Sequence, residues 1–124
     1  METGTKNRLL EAMQQPSFYD HPVAQVELLE THISWVFLAG DFAYKVKKPV
    51  NFGFLDFSTL AKRHHFCLEE LRLNRRFAPK LYLGVKTIGG DPACPKMGDS
   101  PALDYAVKMR RFEQKDQLDR ILDA

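Results

Sequence analysis

The sequence is poor in the features that mark several large classes of protein. It has two cysteines in 124 residues, Cys67 and Cys94, and such sparse use fits a reducing cytosol. No apolar run approaches the ~20 residues of a membrane span, and the polar amino terminus does not resemble a secretory signal. A formal net charge of +2 is too weak to indicate nucleic acid or a membrane surface by itself. We therefore expect a cytoplasmic protein without a membrane or nucleic-acid partner.

What the sequence does contain is typical of one small globular domain. Apolar residues make up 44% of the chain and charged residues 27%, and nine phenylalanines and four tyrosines supply much of the expected core. A length of 124 residues is enough for a single core but short for a complete two-lobed enzyme. We expect residues 1–25 to form a helix and a linker, and residues 26–124 to form the domain itself.

The strongest local pattern lies between Trp35 and Pro49. It predicts two strands joined by a tight turn at Gly40-Asp41. Alternation in the second strand separates apolar side chains from small or basic ones, Phe42, Tyr44 and Val46 against Ala43, Lys45 and Lys47. A small residue two positions before a lysine places a gap beside a positive charge. That arrangement suits a flat base next to a phosphate chain.

The remaining periodicities predict an α+β order. A short helix over 5–14 is followed by three antiparallel strands, a long helix capped by Ser58 or Thr59, and a second antiparallel strand pair. The expected strands are 26–30, 33–39, 42–47, 82–88 and 104–109, with a loop at 89–101 and a last helix beginning near Asp116. These elements predict a five-stranded antiparallel sheet with one long helix packed on it and short helices at the termini.

The order of elements resembles the N-terminal lobe of the protein-kinase-like superfamily. Several stretches look like a bacterial family related to aminoglycoside phosphotransferases, namely residues 30–49, 53–57, 69–76, 78–84 and 105–112. In that family a kinase-like domain commonly precedes an ATP-binding P-loop domain. The resemblance extends from about Val26 to Leu122. It implies that residues 26–124 form such a lobe, truncated just past the hinge that would lead to a second lobe.

The resemblance implies that Lys45 binds nucleotide phosphates. In kinase-like lobes the lysine of an Ala-x-Lys strand binds the α- and β-phosphates and the alanine packs on the adenine; Ala43-Tyr44-Lys45 matches that pattern. A helix carboxylate then orients the lysine, and Glu70 is preferred to Glu69 for this role. The alternative is a solvent-facing Lys45 and a solvated pair of acids, with Glu69 bound to Arg72.

Two further segments are candidates for nucleotide contacts. Thr31, His32 and Ser34 lie at the corner between the first two strands, where kinases place a glycine-rich loop. The chain has no Gly-x-Gly-x-x-Gly there, so contacts to phosphate would come from backbone N–H groups and the two hydroxyls, unless the segment is an ordinary polar turn. The second segment is the implied hinge, made of Met109, Arg110 and Arg111. Its backbone would read the adenine edge, although any buried strand end could carry similar residues.

Other charged or metal-ligating side chains are expected to play no part in a site. Lys47 and Lys48 are interpreted as solvated, the first because it lies farther along the strand and the second because it points away. A basic cluster is interpreted as a solvated helix face or a contact with a missing domain; its members are Lys62, Arg63, Arg72, Arg75, Arg76 and Lys80. Ligands with paired metal spacing are lacking, so we expect no metal at His64, His65, Cys67 and Cys94.

Phosphoryl transfer also requires a base for the acceptor hydroxyl and ligands for Mg²⁺, which the second lobe supplies in kinase-like enzymes. The sequence has no His-x-Asp…Asn loop and no Gly-x-x-x-x-Gly-Lys-Ser/Thr phosphate loop. We therefore expect no catalytic residue and no turnover in this chain, whereas the full-length phosphotransferase would use ATP and Mg²⁺. The expected partners are a nucleotide, the missing C-terminal lobe and a P-loop ATPase domain.

A degenerate lobe that serves as an interaction or regulatory module is the alternative function. The apolar surface where a second lobe should dock would then stay exposed, and the isolated chain would self-associate. The two interpretations differ in whether the downstream sequence retains the acceptor base and the metal ligands.

Overall fold

A central antiparallel sheet carries one helix on each of its faces. The structure, a computed structural model, describes residues 3–111. Within that range the strands are β1 Val26–Glu30, β2 Ser34–Ala39, β3 Phe42–Lys47, β4 Tyr82–Gly89, β5 Lys96–Met97 and β6 Ala102–Arg110, and the helices are α1 Thr3–Met13 and α2 Leu60–Arg75. The strands pair in the order β1-β2-β3-β6-β4-β5. Neither of these helices is both long and apolar enough to cross a membrane.

The α+β class and the antiparallel sheet are confirmed, but the prediction of five strands is wrong. The additional strand is β5, which lies inside the stretch predicted to be a loop and pairs with the end of β4. Two residues are too few to show the period-2 alternation from which strands are predicted. The helix predicted to begin near Asp116 lies outside the described residues.

The tight turn between β2 and β3 fixes the register of the central strands. Gly40 has a φ of +60°, a left-handed conformation that glycine adopts without steric cost. A Cβ at this position would also stand only 2.5 Å from the backbone oxygen of Pro22, so the preceding segment requires glycine here. The turn places Val36 directly opposite Lys45 in the β2–β3 ladder.

Strand alternation separates two cores. The core on the α1 face contains Leu9, Met13, Tyr19, Phe37, Ala39, Tyr44, Val46, Ile88 and Ala106. The core on the α2 face contains Val36, Leu38, Ala43, Cys67, Tyr82, Val107 and Met109. The segment expected to be a helix and linker therefore contributes to the core, because its apolar side chains cover the face of the sheet that α2 leaves open.

A buried ion cluster ties both helices to β6. Asp104 accepts from Lys6 of α1, with 3.0 Å between Nζ and Oδ2, and from Arg63 of α2, with 3.1 Å between Nε and Oδ1. The backbone N–H of Tyr105 donates to the same Oδ1 at 2.8 Å. We call Lys6, Arg63 and Asp104 the Asp104 cluster; all three are buried, so the interpretation of Arg63 as part of a solvated face is wrong.

Candidate functional site

The lysine and the carboxylate singled out in the sequence meet between β3 and α2. Lys45 points to the α2 face because it alternates with Tyr44, which lies in the core under α1. Glu70 points to the sheet because it follows Arg63 and Cys67 at helical spacing, and these three are the buried positions of the helix. The Nζ of Lys45 lies 3.5 Å from Oε2 of Glu70, and the lysine is fully buried.

The two adjacent acids of α2 have different surroundings. Neighbouring residues of a helix are about 100° apart around its axis, so only one of the two side chains can face the sheet. Glu69 pairs with Arg72 instead, with 2.7 Å between Oε2 and Nη2. Asn74 donates to the backbone oxygen of Glu70 at 2.8 Å, one turn along the helix. The structure therefore places Glu70, and not Glu69, beside Lys45.

Lys47 is buried against the same carboxylate, so its interpretation as a solvated lysine is wrong. Its Nζ donates to Oε1 of Glu70 at 2.7 Å and lies 5.0 Å from the centre of the Phe57 ring. Period-2 alternation defines the face of a lysine but not what covers it. Here the chain after β3 folds back, with the N–H of Phe57 donating to the oxygen of Val50 at 2.8 Å. Lys48 does point away, but it is paired: its Nζ lies 2.6 Å from Glu30.

Burial dominates the electrostatics of this site. It lowers the pKa of the Lys45 ammonium from its usual 10.5, an effect that the Glu70 carboxylate opposes and the charge of Lys47 increases. Burial also raises the pKa of the Cys67 thiol to about 12 and that of the Tyr82 hydroxyl to about 12. Both groups are therefore neutral near pH 7. Among neighbouring charges, those of Glu70 and Lys47 have the largest effects on the pKa of Lys45.

Some of the buried polar atoms around these lysines have hydrogen-bond partners among the described residues, and others do not. Oε1 of Glu70 is hydrogen-bonded to Lys47, whereas Oε2 has no hydrogen-bond partner among residues 3–111 and has only the ion-pair contact with Lys45. The buried hydroxyl of Ser34 also has no partner within that range. Ser34 stands directly opposite Lys47 in the β2–β3 ladder and so shares its face. The described residues thus leave two polar atoms without hydrogen bonds on the face that carries both lysines.

The residues expected to contact adenine lie beside the site, but either their side chains are buried or their backbone N–H groups are already hydrogen-bonded. Ala43 and Met109 are partners in the β3–β6 ladder and are fully buried in the core on the α2 face. Arg110 and Arg111 are exposed, and their backbone N–H groups donate to carbonyls of neighbouring segments at 2.8 Å each. These two N–H groups are already used within the protein, so the structure does not present them to a base.

The corner between β1 and β2 is a self-contained turn. The hydroxyl oxygen of Thr31 accepts from the backbone N–H groups of Ser34 at 3.0 Å and Ile33 at 3.3 Å, and the N–H of Thr31 donates back to the oxygen of Ser34. His32 is exposed. The structure brings only Ser34 of this predicted segment to the face that carries the lysines, whereas Thr31 has the contacts of an ordinary polar turn.

The histidines and cysteines are dispersed. His64 stacks on Tyr105 with 3.9 Å between ring centroids, His65 is exposed, Cys67 is buried and Cys94 lies on an exposed loop. Among residues 3–111, no three side chains of the metal-ligating types are grouped so that they could hold an ion.

Sequence reasoning missed Lys47 as a site residue and missed the Asp104 cluster entirely. A signal existed for both. Lys47 shares the face of Lys45 by strand alternation, and Asp104 is an acid within a strand whose pattern is otherwise apolar or basic. The predicted basic cluster on α2 is likewise partly used inside the protein, since Arg75 donates to the backbone oxygens of Tyr82 and Leu83.

Three mycobacterial proteins are similar to this chain over most of its length. They are described as uncharacterized proteins, one of Mycobacterium bovis and one each of two strains of Mycobacterium tuberculosis, and each is 37% identical over 107 residues. The match covers 84% of this chain and 20% of theirs, so the chain spans about a fifth of their length. No family model matches the chain. No solved structure matches it either.

Proposed function

We propose that this chain is the nucleotide-binding lobe of an ATP-dependent phosphotransferase that acts on small molecules and resembles aminoglycoside phosphotransferases. The observation that carries the proposal is the contact between the strand lysine and the helix carboxylate, 3.5 Å from Nζ of Lys45 to Oε2 of Glu70. A flexible lysine loses side-chain entropy when it is fixed, and a carboxylate that holds it in advance lowers this cost for the ligand.

The neighbouring residues support the same assignment. Ala43 precedes Lys45 on the same face of β3 and has Met109 as its partner in β6. A small side chain and a methionine beside a buried lysine suit a flat apolar ring attached to a phosphate chain. Lys45 would bind the phosphates and Glu70 would orient Lys45. Ala43 and Met109 are fully buried in this structure, so they would line the base only after the core on the α2 face opens at this point.

The chemistry of transfer is assigned to residues elsewhere in a longer protein. The sequence of this chain offers no acceptor base and no pair of Mg²⁺ ligands in the pattern of kinase-like enzymes. The mycobacterial relatives are about five times as long as the matched region, which leaves room for a second lobe and a P-loop domain. ATP and Mg²⁺ are the cofactors of that longer protein, and this chain alone is inactive.

ATP titration of the chain, followed by amide chemical shifts, tests the proposal. This measurement detects the weak, millimolar binding expected of a lobe that lacks its partner. Shifts should concentrate on β3 and β6 and disappear in Lys45→Ala, while a matched exposed lysine on the far edge, Lys96→Ala, should bind as the wild type does. A wild type without such shifts, or a Lys45→Ala chain that keeps them, contradicts the proposal.

Exposed aromatic side chains favour the second candidate, an interaction module. Phe54 is 86% exposed in the loop that precedes α2, and Phe77 is 87% exposed just after α2 ends. Aromatic anchors of this kind are common in protein interfaces. If the chain is such a module, it should self-associate in sedimentation velocity and become monomeric in Phe54→Ser or Phe77→Ser. A wild-type chain that is monomeric at high concentration removes self-association as support for this candidate.

A further inference from the structure

The two oxygens of Glu70 face two different lysines. Oε1 lies 2.7 Å from the Nζ of Lys47 in a hydrogen bond, and Oε2 lies 3.5 Å from the Nζ of Lys45. The shorter contact is therefore with the lysine that the kinase-like pattern does not require. Lys47 holds one oxygen without displacing Lys45 from the other.

We propose that Lys47 is a positioning residue of the phosphate site, which holds Glu70 and balances part of its negative charge, so that the positive charge of Lys45 is not fully balanced by Glu70 and can attract phosphate. The inference rests on the proposed function, because it assigns a second lysine to the same site. A carboxylate paired with Lys45 alone would balance the positive charge of that lysine, whereas a carboxylate shared by two lysines orients Lys45 and leaves the three groups with a net positive charge.

The surroundings of Lys47 hold it in place for this task. Its Nζ lies over the ring of Phe57, 5.0 Å from the centroid, and the backbone oxygen of Phe57 accepts from Nη1 of Arg63 at 2.9 Å. Arg63 is in turn bound to Asp104. The position of Lys47 is thus set by a continuous set of buried contacts that begins at β6, and not by Glu70 alone.

The groups that act on Lys45 allow the charge argument to be measured in the unliganded protein. They include the Glu70 carboxylate and the Cys67 thiol of α2, the thiol being neutral near pH 7, and the Lys47 amine of β3. Removing Lys47 takes away a positive charge near Lys45, and the Glu70 carboxylate then interacts with Lys45 without competition from Lys47. Both changes raise the pKa of Lys45, so they act in the same direction.

The experiment compares Lys47→Met with Lys47→Arg, and with Lys48→Met as the matched control on the next residue. Lysine side chains labelled at Cε are titrated over the alkaline range by NMR, and ATP and adenosine are then titrated separately into each chain. In Lys47→Met we expect a higher Lys45 pKa, ATP affinity about tenfold weaker and unchanged adenosine affinity. Lys47→Arg should recover most of the ATP affinity, and Lys48→Met should match the wild type throughout.

The other outcomes contradict either the role of Lys47 or the proposed function. ATP binding with an unchanged Lys45 titration in Lys47→Met overturns the role of Lys47 alone, as does an equal loss of ATP and adenosine affinity. A wild-type chain that binds no ATP overturns the proposed function. If Lys47→Met does not fold, Lys47→Gln replaces it, because an amide can still donate to Glu70 but carries no charge, and the same shifts are expected.

Discussion

Two buried clusters in this protein contain the same types of charge, but their carboxylates differ in how many hydrogen bonds they accept. Each consists of two cations and one carboxylate, Asp104 with Lys6 and Arg63 in one case, Glu70 with Lys45 and Lys47 in the other. Both oxygens of Asp104 accept hydrogen bonds, one of them twice. Only one oxygen of Glu70 does so among residues 3–111.

We interpret this difference as one between a structural role and the binding role proposed above. A fully bonded carboxylate between three elements contributes to stability and has no capacity left for a ligand. A carboxylate with one oxygen outside the hydrogen-bond network of the described residues keeps unused polar capacity in a buried place. The following experiments test whether the two clusters differ in this way.

The largest effect is expected from Asp104→Asn. The substitution leaves Lys6 and Arg63 as buried cations without a compensating charge, and breaking a buried ion pair in this way costs about 3–5 kcal/mol. The free energy of unfolding in urea measures the loss. Glu69→Gln is the control, because it removes an exposed pair with Arg72 and should change stability little. A loss from Asp104→Asn no larger than that of the control would show that the cluster is not structural.

Glu70→Gln should cost less stability, about 1–3 kcal/mol, and should abolish the ATP-dependent chemical shifts. The amide oxygen can still accept from Lys47, and Lys45 can lose its proton more readily than an ordinary lysine since burial lowers its pKa. Urea unfolding and ATP titration of the same sample measure both effects. If Glu70→Gln is as destabilising as Asp104→Asn, the two clusters are equally structural and the contrast fails.

The pH dependence of stability tests the burial of the Lys45 charge, and because burial lowers the pKa of Lys6 in the same direction, the comparison requires a variant of Lys45. The pKa of Lys45 is lowered in the folded chain, so between that value and 10.5 the unfolded chain binds more protons and wild-type stability rises with pH. Lys45→Met has a similar length and no titrating group, and it should lack this part of the rise. Urea midpoints of both chains across the alkaline range test the prediction. Parallel profiles would mean that folding does not disfavour the charged form of Lys45.

The smallest effect is expected from Ser34→Ala. The change removes a buried hydroxyl that has no hydrogen-bond partner among residues 3–111, so stability should rise by up to about 1 kcal/mol. Thr31→Ala is the matched control and should lower stability by about 1 kcal/mol, because its hydroxyl accepts from two backbone N–H groups. Thermal unfolding of both variants measures the difference. A destabilised Ser34→Ala would indicate that the hydroxyl has a partner in the folded protein.

The sequence predicted those parts of the fold that depend on local periodicity. Strand alternation was sufficient to place Lys45 on a different face from Tyr44. The preference for Glu70 over Glu69 came from the resemblance, because Glu70 lies in the Glu-Leu-Arg-Leu-Asn stretch, and periodicity alone left both acids as candidates. The two-residue turn at Gly40-Asp41 could also be predicted, since its chemistry is contained in the turn itself.

The remaining features depend on contacts between distant parts of the chain. Burial of Lys47 requires the segment after β3 to return over it, and the Asp104 cluster joins α1, α2 and β6. No local sequence pattern indicates that these distant segments come into contact. The backbone donors of Arg110 and Arg111 are a similar case, because their acceptors lie on other segments and only the folded chain shows that they are occupied.

The contact between Lys6 and Asp104 has a consequence for the order of events during protein synthesis. The two residues are 98 positions apart, so Lys6 leaves the ribosome long before its partner is made. At ~5–20 residues per second the delay is roughly 5–20 s. During that interval α1 cannot take its final place, and Leu9 and Met13, which end up buried, have no completed sheet to cover. The helix α1 is thus made well before it can dock, and a nascent chain halted before β6 should be a substrate for chaperones that bind exposed apolar helices.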